Sequence, residues 1–388
     1  MRPTVARGVP GAAVVGEVLA TGRRIDPAEN RLTAMNHYCT YFNRGFLIQG
    51  LALARSLAAH DPAAVLWVLA LDGETAGVLG ELGGPALRVV PLAELEADDP
   101  ELAAAKANRS TVEYFFTLSP CWPRWLLRSQ TGIARMTYLD ADMLFFASPA
   151  EVFAAMEAAR ASVLITGHRF PAWLAHYERH GRYNVGILSF ANDPAGLGCL
   201  DDWRRRCLEW CHDRLEDDRY ADQKYLDAWP ERWGGKLLVL ENPGVNLAPW
   251  NWAGRQYEIS PGGSVRVDGA ALVLFHFARF RPVWGTWWWQ SGQLDYGVMP
   301  RRLRGAIYGA YWRALVRARA EVSARRPGFD WVRRPVRLGR ESWRLLPLRL
   351  LFGGDWLRVG GAFYNLRFGA GRWSGQVLAK LRTIFLRR

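Results

Sequence analysis

Two aspartates spaced two residues apart, Asp140 and Asp142, are the first residues whose types and spacing suggest chemistry. They follow the apolar segment MTYL and precede MLFF, so both flanks favour a rigid, buried element. A buried carboxylate is costly unless a cation meets it. Two adjacent carboxylates suit a hard divalent cation that also binds phosphate oxygens, so the pair predicts a Mn²⁺ or Mg²⁺ site. The alternatives are a surface turn without function and a phosphatase motif of the form D-x-D-x-[TV], in which Leu144 is the wrong residue.

Alternating strands and helices are predicted to position this pair. The pattern predicts an α/β fold with a mostly parallel mixed sheet flanked by helices. In such sheets ligands bind at the carboxyl ends of strands, where the two aspartates are expected. The main predicted elements are strands at 34–43, 64–72 and 86–92, a helix at 45–60, and a strand that ends at the aspartate pair.

Two helix boundaries are predicted from local signals. The segment TVEYFFTLSPCWPRWLLRS is expected to contain a helix that breaks near Pro120 and Pro123, because proline removes a backbone donor. Ser148 is expected to cap a helix that has Pro149 in its first position, with Glu151 completing a capping box.

Composition limits the class of protein. The chain has 388 residues, half of them apolar, and no stretch of about 20 apolar residues that would span a membrane. The segment 1–30 lacks the long apolar core of a secretory signal, so we expect a cytoplasmic protein. Five cysteines, an odd number, favour reduced thiols over a disulfide framework. Cys207, Cys211 and His212 in CLEWCH resemble a zinc fragment only weakly and are expected to be structural.

Positive charge is concentrated at the end of the chain. Residues 301–388 contain 21 Lys and Arg against 4 Asp and Glu, or +17, which leaves −4 of the total +13 for the first 300 residues. Basic, amphipathic and Trp-bearing segments suit an anionic membrane surface. Nucleic acid is the alternative anion, but no nucleic-acid motif is present, and a solvated tail is the third interpretation. One helical face is predicted to carry Leu303, Ile307, Tyr311, Leu315 and Val322.

Four segments, in order, resemble motifs of the retaining family 8 glycosyltransferases of the GT-A fold, which include glycogenin and bacterial lipopolysaccharide galactosyltransferases. TYLDADMLFFASP is similar to the family's D-x-D strand, and YNVGILSF to its N-[SA]-G-[VI] strand. ADQKYLDAW is similar to D-Q-x-x-[LF]-N, and FHFARFRPVW to H-x-x-G-x-x-K-P-W. The likeness covers residues 34–295. It implies a GT-A domain at 31–300, between an extension at 1–30 and a membrane-association region at 301–388.

The resemblance implies a role for each matching residue. Asp140 and Asp142 would hold the metal, with Asp140 also near the donor ribose. His276 would be the third ligand, and its alternative is a hydrogen-bonded core histidine. The family's Gly, Lys and Pro are replaced by Arg279, Pro282 and Val283, so the cation for the donor diphosphate would be Arg281 or Arg279.

The resemblance also implies a place for the transferred sugar. Asn184 would lie near the sugar, and Asp222 and Gln223 beside its anomeric carbon. Gln223 is a poor nucleophile, so front-face substitution with retention is the implied chemistry. The alternatives without a catalytic role are that Asn184 is a strand-end asparagine that holds a turn and that Asp222 is an aspartate that begins a helix.

Weaker candidates complete the predicted donor site. Arg109 is a candidate donor contact or an ordinary surface arginine, and Tyr41 and Asn43 follow the first strand, where the base and ribose are expected. The tryptophans of PVWGTWWWQSG can stack on sugars or fill a core: Trp284, Trp287, Trp288 and Trp289.

The sequence therefore predicts a Mn²⁺- or Mg²⁺-dependent glycosyltransferase, peripheral on the inner face of the cell membrane. Its expected partners are a nucleotide-diphosphate sugar, with a UDP-sugar as the first choice, a glycan or lipid-linked acceptor, and an anionic membrane surface. No nucleic acid partner is expected. The competing hypothesis is a non-catalytic membrane- or polyanion-binding protein on a degenerate GT-A scaffold.

Overall fold

The computed structural model describes residues 35–283, 288–290, 296–297, 299–329 and 356–358, with the backbone alone described for 281–283, 288–290 and 356–358. Several predictions therefore lie outside the described residues. These are the extension 1–30, Trp284, Trp287, the side chains of Arg281, Trp288 and Trp289, and most of the tail beyond residue 329.

A seven-stranded mixed sheet forms the centre of the molecule, in the order β3-β2-β1-β4-β7-β6-β8. β7 is antiparallel to both of its neighbours, and the other four pairs of adjacent strands are parallel. The predicted fold class, a mostly parallel sheet flanked by helices, is confirmed. The strands are β1 (His37–Phe42), β2 (Val65–Ala70), β3 (Leu87–Pro91), β4 (Arg135–Leu139), β5 (Met143–Phe145), β6 (Val163–Gly167), β7 (Tyr183–Ala191), β8 (Leu237–Val239), β9 (Tyr257–Ile259), β10 (Val265–Val267), β11 (Ala270–Ala271), β12 (Leu274–His276), β13 (Arg281–Val283), β14 (Trp288–Gln290) and β15 (Trp356–Arg358).

Helices cover both faces of this sheet because its strands are apolar on both sides. In β1, Tyr38 belongs to one buried cluster and the next residue, Cys39, belongs to the other, as strand geometry requires. α1, α2, α6 and α9 contribute to the first cluster, and α3, α4, α5 and α7 to the second. The helices are α1 (Leu47–His60), α2 (Gly73–Leu82), α3 (Leu92–Asp98), α4 (Pro100–Ala105), α5 (Thr111–Ser129), α6 (Ala150–Ala158), α7 (Pro194–Glu209), α8 (Trp229–Trp233) and α9 (Arg301–Arg325).

The predicted break in α5 is wrong. The helix runs without interruption from Thr111 to Ser129 and contains both Pro120 and Pro123. An interior proline costs a helix about 3 kcal/mol, but residues 117–123 are all buried here, and this packing outweighs the loss. A capping box formed by Ser110 and Glu113 fixes the start of the helix.

The predicted capping box of α6 is also wrong. The helix begins one residue later than expected, at Ala150, with Pro149 as its N-cap. Pro149 has no side-chain acceptor, and the Ser148 hydroxyl accepts a hydrogen bond from the backbone N–H of Ala150 instead. The Ser-Pro signal located the helix but not its first residue.

α9 packs against the body of the protein. All five residues of its predicted apolar stripe are buried in the first core cluster, and the helix contacts α1 and α2. The ring of Tyr311 stacks on Phe277, with centroids 3.8 Å apart. The first part of the predicted membrane-association region is therefore continuous with the α/β core. Among the described residues, no helix has the length and apolar character needed to cross a membrane.

Candidate active site

Three side chains from distant parts of the sequence meet at one edge of the central sheet. Nε2 of His276 lies 3.2 Å from a carboxylate oxygen of Asp142 and 3.5 Å from one of Asp140. One potential ligand atom from each residue lies within 4.8 Å of the other two. The part of the chain that the structure describes contains no other group of three acidic, histidine or cysteine side chains this close. Two carboxylate oxygens and an imidazole nitrogen form a donor set that fits Mn²⁺.

Short strands bring these ligands together. Asp140 directly follows β4, and its backbone N–H donates to the carbonyl of Gly186 in β7. Asp142 precedes β5, which pairs antiparallel with β12 so that His276 lies opposite Met143. The N–H of Phe277 donates to the carbonyl of Asp142, which closes this ladder beside the ligands.

Burial and the charges of neighbouring groups shift the pKa values of Asp140 and His276. Burial raises the pKa of Asp140, and the charge of Asp142 adds to this, while His276 acts in the opposite direction. Burial alone would lower the pKa of His276, but the carboxylates of Asp142 and Asp140 outweigh it, and the net shift is upward. Two partly buried carboxylates facing one buried imidazole form a site whose negative charge favours a cation.

A hydrogen-bonded network links the aspartate pair to Asp222. The hydroxyl of Tyr138 donates to Asp140 over 2.8 Å, and the ring of Tyr138 packs against Tyr41. The Tyr41 hydroxyl lies 2.9 Å from the hydroxyl of Ser119, which in turn bonds the carboxyl of Asp222. Tyr41 was predicted to lie near the donor, and the structure places it in this network, whereas Ser119 in α5 had no sequence signal.

Asp222 is a buried carboxyl group with a strongly shifted pKa. It is 5% exposed, and burial raises its pKa to about 7, with a smaller contribution from the charge of Asp140. Its carbonyl accepts from the indole of Trp203 over 2.8 Å, which fixes the backbone. Asp222 precedes the short 3-10 turn Lys224–Ala228 and does not begin an α-helix. A carboxyl group with a pKa near neutrality can change protonation state during a reaction.

Asn184 and Gln223 form a second polar cluster. The Asn184 side-chain oxygen accepts from the N–H of Gly186 and from the amide of Asn246, each at 3.0 Å. Its amide nitrogen lies 3.4 Å from the Gln223 carbonyl oxygen and 3.3 Å from Nε2 of His168. Gln223 also donates to the carbonyl of His180. Both predicted residues are therefore held in fixed orientations.

A cleft of about 380 Å³ reaches from His276 of the triad to Asp222 and to the Asn184–Gln223 cluster. It brings together five of the residues predicted for the site: Asn184, Asp222, Gln223, His276 and Arg279. Its other walls are mostly aromatic, and they include residues that sequence reasoning missed: Phe170, Tyr177, Trp250 and Tyr296. His168 also lines the cleft, and burial lowers its pKa to about 3, so its imidazole is neutral.

The loop after β8 contributes two buried asparagines that the sequence did not single out. Asn246 donates to the hydroxyl of Thr166 and to Asn184, and Asn251 donates to the carbonyl of His168. The only available signal was the Pro/Asn-rich composition of LENPGVNLAPWNW. Their function is to hold the cleft residues in place.

Unusual backbone conformations occur beside the cleft. Ala221, Asn246 and Arg279 have positive φ angles of 47°, 56° and 63°. Such conformations are unfavourable for residues other than glycine and are frequent at functional sites. Ala221 and Arg279 line the cleft, and Asn246 supports Asn184.

Two other predicted donor contacts, Arg279 and Asn43, lie in separate parts of the structure. The Arg279 guanidinium lies over the ring of Tyr296, 5.2 Å from its centroid, at the cleft. Asn43 caps the 3-10 turn Arg44–Phe46 by accepting from the N–H of Gly45.

Arg109 follows the 3-10 turn Lys106–Asn108 and contacts the end of α7. It donates to the carbonyls of Cys207 and Leu208 and does not line the cleft. These contacts give Arg109 a structural role at the end of α7, and its role as a donor contact stays a prediction. In the nearby segment CLEWCH, Cys207 and Cys211 are buried free thiols, and His212 bonds to Glu113.

Comparison with known proteins gives two sequence relatives. No model of a known protein family matches the chain. The uncharacterised protein YfnF of Bacillus subtilis (strain 168) is 33% identical over 255 residues, which cover 63% of this chain and 82% of YfnF. The uncharacterised protein YfnD of the same organism is 32% identical over 248 residues, which cover 63% of this chain and 78% of YfnD.

Several solved structures have a remotely similar backbone. The galactosyltransferase LgtC in complex with donor and acceptor sugar analogues has a TM-score of 0.44 and 14% identity, over 70% of this chain and 100% of LgtC. Mouse xyloside xylosyltransferase 1 has a TM-score of 0.41 and 13% identity, over 62% and 97%. The glycosyltransferase GlyE of Streptococcus pneumoniae TIGR4 has a TM-score of 0.42 and 14% identity, over 75% and 62%. At this distance, a function has to be argued from the site residues themselves.

Proposed function

The chain belongs to the family of the Bacillus subtilis proteins YfnF and YfnD, and we propose that it is a divalent-metal-dependent glycosyltransferase. The observation that carries this proposal is the meeting of Asp140, Asp142 and His276 beside a cleft that also contains Asn184 and Asp222. The four glycosyltransferase-like motifs of the sequence supply all five of these residues.

The residues divide into a cation site and a sugar site. Asp140, Asp142 and His276 would hold Mn²⁺, which when bound supplies positive charge to the diphosphate of a nucleotide sugar. Arg279, at the cleft, is a second source of positive charge for phosphate oxygens. The proposed donor is a nucleotide-diphosphate sugar, with UDP-sugars as the first compounds to test.

The amides of the cleft suit a sugar. Among the described residues, Gln223 uses one N–H on the carbonyl of His180 and one acceptor position for Asn184, so its amide still offers a donor and an acceptor in a fixed orientation, as hydrogen bonding to sugar hydroxyls requires. The surrounding rings, among them Trp250 and Tyr296, offer flat apolar surfaces for the C–H faces of a sugar. The cleft thus supports binding of a glycan in which polar and apolar faces are both recognised.

Retention of configuration is part of the proposal. Gln223 is too weak a nucleophile for a covalent intermediate, so the acceptor hydroxyl would attack the anomeric carbon on the face that the diphosphate leaves, and its proton would pass to the leaving diphosphate. Asp222 as a carboxylate would stabilise positive charge that develops at the anomeric carbon. Its pKa of about 7 means that the carboxylate and the neutral acid are both populated near neutral pH.

The acceptor is proposed to be a lipid-linked or polysaccharide glycan, with the enzyme peripheral on the inner face of the cell membrane. The basic tail supports this assignment, because 330–388 carry 13 Lys and Arg against 3 Asp and Glu. The second candidate, a non-catalytic scaffold, is less well supported, since a decayed site would not be expected to retain a compact metal-ligand triad beside a polar cleft.

Hydrolysis and transfer assays test the proposal. Purified protein is incubated with UDP-, GDP- and TDP-sugars, with Mn²⁺ or with a chelator, and release of the nucleoside diphosphate is measured. We expect turnover of at least one donor in Mn²⁺ and none in chelator. Asp142→Asn should lower the rate by a hundredfold or more, on the order of the effect of removing one charge-stabilising group.

Asp218→Asn is the matched control. Asp218 is exposed and lies outside the cleft, so the same chemical change there should leave turnover unchanged. Full activity of Asp142→Asn, or equal activity in chelator and in Mn²⁺, would rule out the metal-dependent mechanism.

A further inference from the structure

A second concave surface lies between α1 and α9, outside the cleft described above. This groove has a volume of about 580 Å³. It is lined by residues of α1, of β5 and the residue after it, and of α9, among them Ala59, Leu144, Phe145, Ala310, Arg313 and Arg317.

The groove has an apolar interior. Small side chains of both helices leave the space open, among them Ala59 of α1 and Ala310 of α9. Leu144 and Phe145, both of β5, also line it and are nearly buried in the core. Hydrocarbon placed in this space would replace water next to apolar atoms, which is favourable.

Two of the arginines that line the groove have no acidic partner in the part of the chain that the structure describes. Arg313 and Arg317 are one helical turn apart and exposed, and neither forms an ion pair with a described residue. By contrast, Arg55 is paired with Glu321. Val316, next to Arg317 in the helix, is 47% exposed, so apolar and basic groups share the outer surface of α9.

Charge decides what kind of occupant fits. The tail 330–388, of which only the backbone of 356–358 is described, carries a net +10, so Arg313 and Arg317 would repel it. An anionic amphiphile satisfies both parts of the groove, because a phosphate matches the two guanidiniums and hydrocarbon matches the alanine-lined interior. We propose that the groove binds an anionic phospholipid of a bilayer surface, with its phosphate on Arg313 and Arg317 and its first acyl carbons against the apolar floor.

This site would give the protein a fixed orientation on the membrane. β5, which contributes Leu144 and Phe145 to the groove, directly follows the candidate metal ligand Asp142. A bilayer bound at the groove would therefore be coupled through one short strand to the candidate active site. The proposal rests on the groove alone and does not require the proposed activity.

Filling the groove without changing charge is the first test. Ala59→Leu and Ala310→Leu place a larger side chain in the groove of the full chain, and Ala58→Leu and Ala320→Leu add the same atoms at exposed positions outside it. Partitioning is measured by sedimentation with vesicles of phosphatidylglycerol and phosphatidylcholine. We expect the groove variants to bind phosphatidylglycerol vesicles about fivefold or more weakly, the loss expected when about one methylene group no longer enters the groove, and the controls to bind normally.

The second test removes positive charge from the groove. It tests the lipid site even if a variant with a filled groove does not fold. Arg313→Gln with Arg317→Gln should weaken binding to phosphatidylglycerol more than Arg301→Gln with Arg302→Gln, which removes two exposed charges outside the groove. Equal loss in the two double variants would overturn the proposal and assign binding to net charge. Cross-linking of the tail to Ala310→Cys in the presence of vesicles would also overturn it, by showing that the chain itself occupies the groove.

Discussion

Gly186 controls the position of two site residues although it has no side chain. A Cβ atom at this position would lie 2.6 Å from the side-chain oxygen of Asn184 and 2.7 Å from Nδ1 of His276. Both distances are shorter than real carbon contacts, and both neighbours are buried, so one of them would have to move. The glycine therefore allows the imidazole to stand close to β7 while its other nitrogen faces the aspartates.

Gly186→Ala is predicted to weaken Mn²⁺ binding by tenfold or more, on the order of the effect of losing support for a metal ligand. The reason is displacement of the His276 ring. Isothermal titration with Mn²⁺ measures the effect, and Gly80→Ala is the control, because nothing lies within 4 Å of a Cβ there. Unchanged Mn²⁺ affinity in Gly186→Ala would contradict displacement of a ligating His276 ring.

Asp222 is predicted to make stability depend on pH. Its folded pKa of about 7 lies above the ordinary value of 3.8, so the folded chain keeps a proton that the unfolded chain releases as pH rises between these values. The unfolding free energy should therefore fall with rising pH in this window, by up to about 1.4 kcal/mol per pH unit from this group. Denaturant unfolding of Asp222→Asn at pH 5 to 8, without divalent ions, should show a slope that is smaller by this amount.

The matched variant for this comparison is again Asp218→Asn, at an exposed position. It should keep the slope of the unaltered chain. If Asp222→Asn and Asp218→Asn have the same pH dependence, the carboxyl group of Asp222 is not the buried acid described above.

At the residue level, candidate site residues could be predicted where they lie in a short sequence motif. The apolar flanks of Asp140 and Asp142 indicated a rigid site, and the motif around His276 indicated a partner far along the chain. His168 and Asn246 could not be found in this way, because their roles depend on contacts with Asn184 across the sheet. A buried hydrogen-bond network has no short-range sequence signal.

At the level of elements, α9 shows how one pattern supports two interpretations. An amphipathic helix with arginines on its outer face fits a membrane surface, but it also fits a helix that completes a core. The structure uses the apolar stripe for the core, with Tyr311 fully buried against Phe277. Periodicity predicted which face is apolar but not what covers it.

Tyr311→Ala is predicted to lower the unfolding free energy by about 3–5 kcal/mol, since it removes a buried aromatic ring from a packed core. Val316→Ala on the exposed side of the same helix should change it by less than about 0.5 kcal/mol. Urea denaturation followed by circular dichroism measures both. Equal, small effects would mean that α9 is not part of the folded core.

Among the other elements, those with a long apolar pattern in the sequence were predicted at the positions where the structure has them. The central strands and α1 have long apolar runs, and the structure places elements at those positions. The pairing of the short strands β5 and β12, which brings His276 to Asp142, could not be predicted, because the apolar pattern of a strand does not specify its partner. The uninterrupted α5 could not be predicted either, because the packing that tolerates its prolines is tertiary.

At the scale of the whole molecule, the charge is divided between a mildly acidic body and a basic end. Binding of the full chain to phosphatidylglycerol vesicles is therefore predicted to weaken strongly as salt is raised from about 50 to 300 mM, because screening shortens the range of the attraction. Vesicle sedimentation at several salt concentrations measures this. Binding that is insensitive to salt, or equal on phosphatidylcholine, would contradict an electrostatic membrane contact.

The most direct test of the central claim is the coupling between Mn²⁺ and a nucleoside diphosphate, measured by titration calorimetry with UDP, GDP and TDP. If the triad holds a metal that receives the diphosphate, at least one of these nucleotides should bind tenfold or more tightly with saturating Mn²⁺, a coupling on the order of 1.4 kcal/mol. Asp142→Asn should abolish this difference. Nucleotide binding that is the same with and without Mn²⁺ in the unaltered chain would contradict the account.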